Sequence, residues 1–265
     1  MDIEPLTEIL LPFVAVLPRI LALFAVFPVL GRELFPGLVR RAVAVSLSLV
    51  LFPVVSPGIV EGALLSPALL AAVIGKEAVL GLLMGYLAGV VFWVAESVGF
   101  FIDNQRGATI ASVFNPLSGA QTSPTGNLLF QLTAVLFFTG GGFLLLLSAL
   151  FESYRIWPVF SFFPRFQAGF SGFFLGQADR IMGLTVLLGG PVIIALFASE
   201  LGLGLISRFA PQLNVFFLSM PVKSGIAVLL LALYLGFLVS FFREEFAAIR
   251  LLPALLGGPM GAPPP

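Results

Sequence analysis

The residues able to do chemistry are few, and the densest group lies in one polar stretch, Gly99 to Gly126, reading GFFIDNQRGATIASVFNPLSGAQTSPTG between two long apolar runs. Glu96, Gly99, Asp103, Arg106 and Gly107 follow at steps of 3, 4, 3 and 1, which puts them on one side of a helix. With Gln105 they make a polar stripe. Asp103 and Arg106 stand three apart and are spaced to pair, which lowers the cost of carrying either charge in an apolar setting. After Gly107 the pattern changes to turn and breaker residues: Asn115-Pro116, Gly119, Pro124 and Gly126. Between stripe and breakers sits a short group on irregular backbone, Ile110, Ala111, Ser112, Val113, Phe114, Asn115 and Pro116. Two readings fit it. Its apolar residues either tuck back onto a neighbour as in an ordinary loop, or stand in a passage and close it by excluding water.

Bond-making chemistry has little to work with. There is no His and no Cys, so imidazole bases, thiolates, disulfides and the commonest zinc ligands are missing. The 13 acids form no carboxylate dyad or metal cage. Thr139-Gly-Gly-Gly142 is not a phosphate loop, since no GK[ST] follows. The chain reads as a non-enzyme with no cofactor and no metal, so energy for any transport would come from a partner or an ion gradient.

Composition sets the class. Of 265 residues 59% are hydrophobic and 10% charged, against roughly 25% charged in an average soluble domain. Mean hydropathy is +1.12, and Phe alone accounts for 29 residues. This is a membrane-type composition. A net charge of +0 gives no electrostatic case for nucleic acid. The acidic start, Met-Asp-Ile-Glu, is unlike a secretory signal, so the first apolar run is expected to be retained.

The elements that must position these residues are apolar runs at about 9–31, 42–57, 68–102, 128–151, 181–206 and 224–242. They predict an all-α protein of about six broken helices, one domain over 1–245, with a tail at 246–265 that is disordered at least from Pro253. Arg19 lies mid-run, where lipid exposure would cost roughly 2.5–3.5 kcal/mol, so it snorkels, pairs with Glu8 or another acid, or is buried at a subunit contact. Gly81, Gly85 and Gly89 recur every four residues as a helix-packing seam. Thr139 to Gly142 predicts a kink or a very close contact, and Gly189-Gly190-Pro191 a break. The aromatic segment 152–180, with Tyr154 and Trp157, reads as interfacial or partner-binding. Glu200 needs a cation, and Arg208 and Lys223 are the nearest in sequence. Six alternating spans place six Lys and Arg on one side and five on the other, which decides no orientation.

Two pieces carry a family resemblance: GFFIDNQRGA with its following NP and SPTGNLL, and FAPQLNVFFLSMPVKSG, which includes Pro211, Gln212, Asn214, Pro221 and Lys223. Over about 9–245 the chain resembles the export-gate family of type III secretion, the flagellar biosynthesis protein R and virulence T-component group. IDNQRG is closer to the virulence-injectisome branch. The resemblance implies a subunit of a helical, hetero-oligomeric export gate of the bacterial inner membrane, much of it above the membrane plane on the periplasmic side. It implies assembly with P-type (R-component) and Q-type (S-component) subunits, beside the B-type (U-component) switch protein, around unfolded secreted proteins in transit. The loop 107–127 would be the plug, with Val113 and Phe114 sealing. Residues 1–180 would be the P-type-like part and 181–243 a Q-type-like hairpin. Asn115 stands where flagellar members often have Asp. The alternatives are a secondary transporter, which would show an internal repeat and uptake by the chain alone, and a purely structural assembly scaffold.

Overall fold

The computed structural model describes residues 4–31, 36–55, 67–107, 123–160, 170–210, 212 and 215–254, and it is all-α, with no strand among them. The apolar runs become α1 (Glu4–Val26), α2 (Gly37–Val55), α3 (Pro67–Arg106), α4 (Pro124–Thr139), α5 (Gly142–Ile156), α6 (Phe170–Phe209) and α7 (Val215–Ala247). Short 3-10 turns follow α1 at Pro28–Leu30 and α7 at Ala248–Leu251. The fourth run is interrupted as expected at its glycines. Gly140 ends α4, and Gly141 takes φ 78°, a left-handed conformation that costs other residues about 1–2 kcal/mol.

The expected break at Gly189-Gly190-Pro191 does not occur, because α6 continues through Pro191. Gly190 has no Cβ to meet the proline ring, which removes one of the clashes a proline makes with the residue before it. Likewise α7 runs through Pro221 and begins nine residues before the predicted run. Among the described residues, α3, α6 and α7 are long and apolar enough to cross a membrane, a count of three, or four if α4 and α5 make one interrupted span.

The chain divides into two compact units: Met1–Val90, Gly141–Gln177 and Phe246–Pro265 in the first, Val91–Gly140 and Ala178–Glu245 in the second. In the first unit α1 and α3 meet backbone to backbone. A Cβ at Gly81 would strike the Arg19 carbonyl oxygen, and one at Gly85 would lie 2.7 Å from the Leu23 carbonyl oxygen. Gly89 is also buried. Around this seam Phe24, Phe27, Leu80 and Met84 are buried, each worth about 1.5–3 kcal/mol of transfer free energy. Residues 246–254, assigned to the tail on sequence, continue as helix and 3-10 turn, with Phe246, Ile249 and Leu252 buried.

Of the aromatic residues expected at an interface, Tyr154 and Trp157 are core residues of this unit. Trp157 is fully buried, and Tyr154 is buried with its hydroxyl donating to the Val16 carbonyl at 2.9 Å. Both attend Arg19, itself fully buried. Arg19 Nε and Nη2 donate to the two Glu77 oxygens at 2.7 and 3.0 Å. Its Nη1 reaches Ser153 Oγ at 2.9 Å, Nη2 also reaches the Trp157 carbonyl at 2.9 Å, and the guanidinium lies 4.0 Å from the Tyr154 ring centre. Lys76 pairs with Glu77 at 3.0 Å and donates to the Pro158 and Val159 carbonyls. Two cations thus share one carboxylate, and the carbonyls just past the end of α5, at the negative pole of that helix, supply the remaining acceptors.

In the second unit α3, α4, α6 and α7 bury Phe92, Phe137, Leu188, Val192, Leu196, Leu238 and Phe242. Phe92 meets Phe137 edge-on at 5.4 Å. Gly189 of α6 lies against Phe101 and Val98 of α3, at 3.6 and 4.0 Å from where a Cβ would stand. Only 22% of the most apolar window of α6 and 17% of that of α7 is buried, against 67% for α3, so the hairpin carries most of its apolar surface outward.

Candidate functional site

The polar residues of the second unit gather at the C-terminal end of α3. Asp103 is fully buried and uses both oxygens. Oδ1 pairs with Arg106 Nη2 at 2.7 Å, one helical turn on. Oδ2 accepts from Ser123 Oγ at 2.7 Å and from the Thr125 amide at 2.9 Å. Arg106 Nη2 also donates to Thr125 Oγ1 at 3.2 Å. Ser123 is the N-cap of α4: its Oγ accepts from the Gly126 amide at 2.9 Å, and Pro124 takes the first helical position. One carboxylate therefore ties the last turn of α3 to the first turn of α4.

Two glycines make this possible. Gly99 has the backbone of Thr125 and Gly126 where any Cβ would go. Gly107 adopts φ 81° and its amide donates to the Asn104 carbonyl at 3.1 Å, turning the chain out of α3. The ends of the polar stretch, Gly99 and Gly126, are thus in backbone contact.

The second motif arrives at the same place. Lys223 of α7 pairs with Glu200 of α6 at 3.0 Å, and its Nζ donates to the Gln105 carbonyl at 3.4 Å. That carbonyl belongs to the last turn of α3, where no intrahelical donor remains for it. Of the stripe, Asp103, Gln105, Arg106 and Gly107 converge here, while the Glu96 side chain is exposed. Of the motif, Lys223 is brought in, whereas Gln212 and Pro221 are exposed. Ile110, Ala111, Ser112, Val113, Phe114, Asn115 and Pro116 lie outside the described residues, as do Pro211 and Asn214. Sequence reasoning did not single out Ser123 and Thr125, though Ser before Pro at a helix start is a recognisable cap.

The arrangement holds backbone in place. Every contact just described is a hydrogen bond or ion pair within the chain, and among the described residues no group of three or more acids could hold a metal ion.

Comparison with known proteins agrees with the resemblance. The family described as "Bacterial export proteins, family 1" matches residues 10–249. The chain is 50% identical over 228 residues to Yop proteins translocation protein T of Yersinia pestis, covering 85% of this chain and 86% of that protein. It is 35% identical over 218 residues to surface presentation of antigens protein SpaR of Salmonella typhimurium, covering 82% and 80%. With flagellar biosynthetic protein FliR of Bacillus subtilis the identity is 29% over 251 residues, covering 92% and 95%. The higher identity to the translocation protein places the chain nearer the virulence T-component branch than the flagellar one, as the IDNQRG form indicated. This chain belongs to family 1 of the bacterial export proteins.

Proposed function

We propose that the chain is a subunit of the type III secretion export gate in the bacterial inner membrane, where it helps to form and seal the passage for unfolded secreted proteins. The observation that carries this reading is the buried Asp103 with Arg106, Ser123 and Thr125, which ties the last turn of α3 to the first turn of α4 on either side of the segment 108–122. A segment closing a passage needs rigid attachment at both ends, and here the attachments share one carboxylate. Its apolar residues Val113 and Phe114 are of the kind that close a pore by dewetting.

In this role the chain assembles with P-type and Q-type subunits beside the B-type switch protein. The outward apolar faces of α6 and α7 support such packing, and much of the gate then stands above the membrane plane on the periplasmic side. Deleting Ile110 to Phe114 tests the reading. The gate complex purified with its partners should still assemble and should become leaky to small ions in planar bilayers. Unchanged conductance overturns the plug, lost assembly points to a scaffold, and saturable uptake by the chain alone points to a transporter.

A further inference from the structure

The geometry points to Lys223 as a positioning residue, through which the α6–α7 hairpin sets the last turn of α3. Only the functional consequence of this rests on the export reading.

Lys223 is 7% exposed, yet it sits among three helices with two partners of different kinds. Glu200 Oε2, on α6, is an ion-pair partner at 3.0 Å and its side chain is 52% exposed. The Gln105 carbonyl, on α3, is a hydrogen-bond acceptor at 3.4 Å. The first contact braces the hairpin internally. The second joins the hairpin to α3, and it does so at the negative pole of a 40-residue helix, where a cation is favoured. Gln105 is flanked by the turn that carries the Asp103–Arg106 pair, so a donor on its carbonyl bears on the same backbone that Asp103 holds from the other side.

Around this amine the charges are balanced in two pairs. Glu200 faces Lys223 from α6, and Asp103 faces Arg106 within α3. Arg106 already serves Asp103 and Thr125, so Lys223 is the cation that answers Glu200 in this cluster. The hairpin is braced a second time at its other end, where Arg180 Nη2 lies 2.8 and 2.6 Å from the two Glu245 oxygens. Arg180 and Glu245 pair the two helices independently of Lys223. What Lys223 adds is the link to α3.

The two roles separate because only one of them needs a donor. Exchanging the pair, Glu200→Lys with Lys223→Glu, restores the brace, but a carboxylate cannot donate to the Gln105 carbonyl. Lys223→Arg keeps both charge and donor, and Lys223→Met keeps bulk alone. The readout is amide hydrogen exchange of residues 103–107 in the full chain purified within its complex, with complex yield as control. Lys223→Met and the exchanged pair should both speed exchange of this turn about tenfold, the effect of losing one hydrogen bond to a charged group, while Lys223→Arg stays near the parent. Full recovery of protection in the exchanged pair overturns the proposal, as does unchanged exchange in Lys223→Met. Secretion by cells carrying each variant is the second readout. Faster exchange with unaltered secretion leaves the positioning role standing and counts against the export reading.

Discussion

Glu77→Gln tests the energetics of the first unit directly. The carboxylate is fully buried and accepts two bonds from Arg19 at 2.7 and 3.0 Å and one ion pair from Lys76 at 3.0 Å. Neutralising it leaves Arg19 buried with a hydroxyl, a carbonyl and an aromatic face, none of which carries charge. Removing one partner of a buried pair costs about 3–5 kcal/mol. Gln keeps the shape and one acceptor, so the lower end applies, about 3 kcal/mol or roughly 150-fold in the folded ratio. Denaturant titration of the full chain in micelles measures this. The chain has 2 Trp, so a Trp93→Phe background makes Trp157, whose own carbonyl binds Arg19, the sole reporter. Arg19→Met combined with Glu77→Gln should cost less than the sum of the two single changes by at least about 1 kcal/mol, since the double variant buries no unpaired guanidinium. A Glu77→Gln cost below about 1 kcal/mol, or strict additivity, refutes the reasoning.

Three further outcomes follow from the helix glycines and from the α3 terminus. Gly81→Ala forces α1 and α3 apart and should destabilise by about 1–3 kcal/mol in the same titration, whereas Gly75→Ala, with nothing within 4 Å, should stabilise by roughly 0.5–1 kcal/mol through helix propensity. Asp103→Asn weakens the tie between α3 and α4 and should raise the ion leak of the assembled gate; a leak equal to the parent's would show that Asp103 does not hold the segment 108–122.

How much of this was legible in the sequence depends on distance along the chain. Asp103 and Arg106 are a local helical pair, so their spacing sufficed. Glu200 announced a need for a cation, because an acid beside an apolar run must be answered, and Lys223 was among the nearest. Arg19 announced the same need, but its partner Glu77 lies 58 residues away and nothing in periodicity says which helices meet. Gly189-Gly190-Pro191 misled because a local breaker rule was applied to a proline that the helix accommodates, as α7 accommodates Pro221. Tyr154 and Trp157 misled because an apolar body with a polar tip suits an interface and also suits a buried arginine. The glycines at 99 and 126 look like punctuation in sequence, and only the approach of α3 to α4 gives them a steric purpose.

The Arg19 cluster also dates events during synthesis. Arg19 leaves the ribosome 58 residues ahead of Glu77 and 134 ahead of Ser153. At roughly 5–20 residues per second the guanidinium waits about 3–12 s for its carboxylate. Throughout that interval a nascent α1 holds a solitary cation that neither lipid nor a half-made bundle accommodates, so the insertion machinery must shelter it or leave it wet. A truncated product ending before α3 keeps that cation without the carboxylate that answers it.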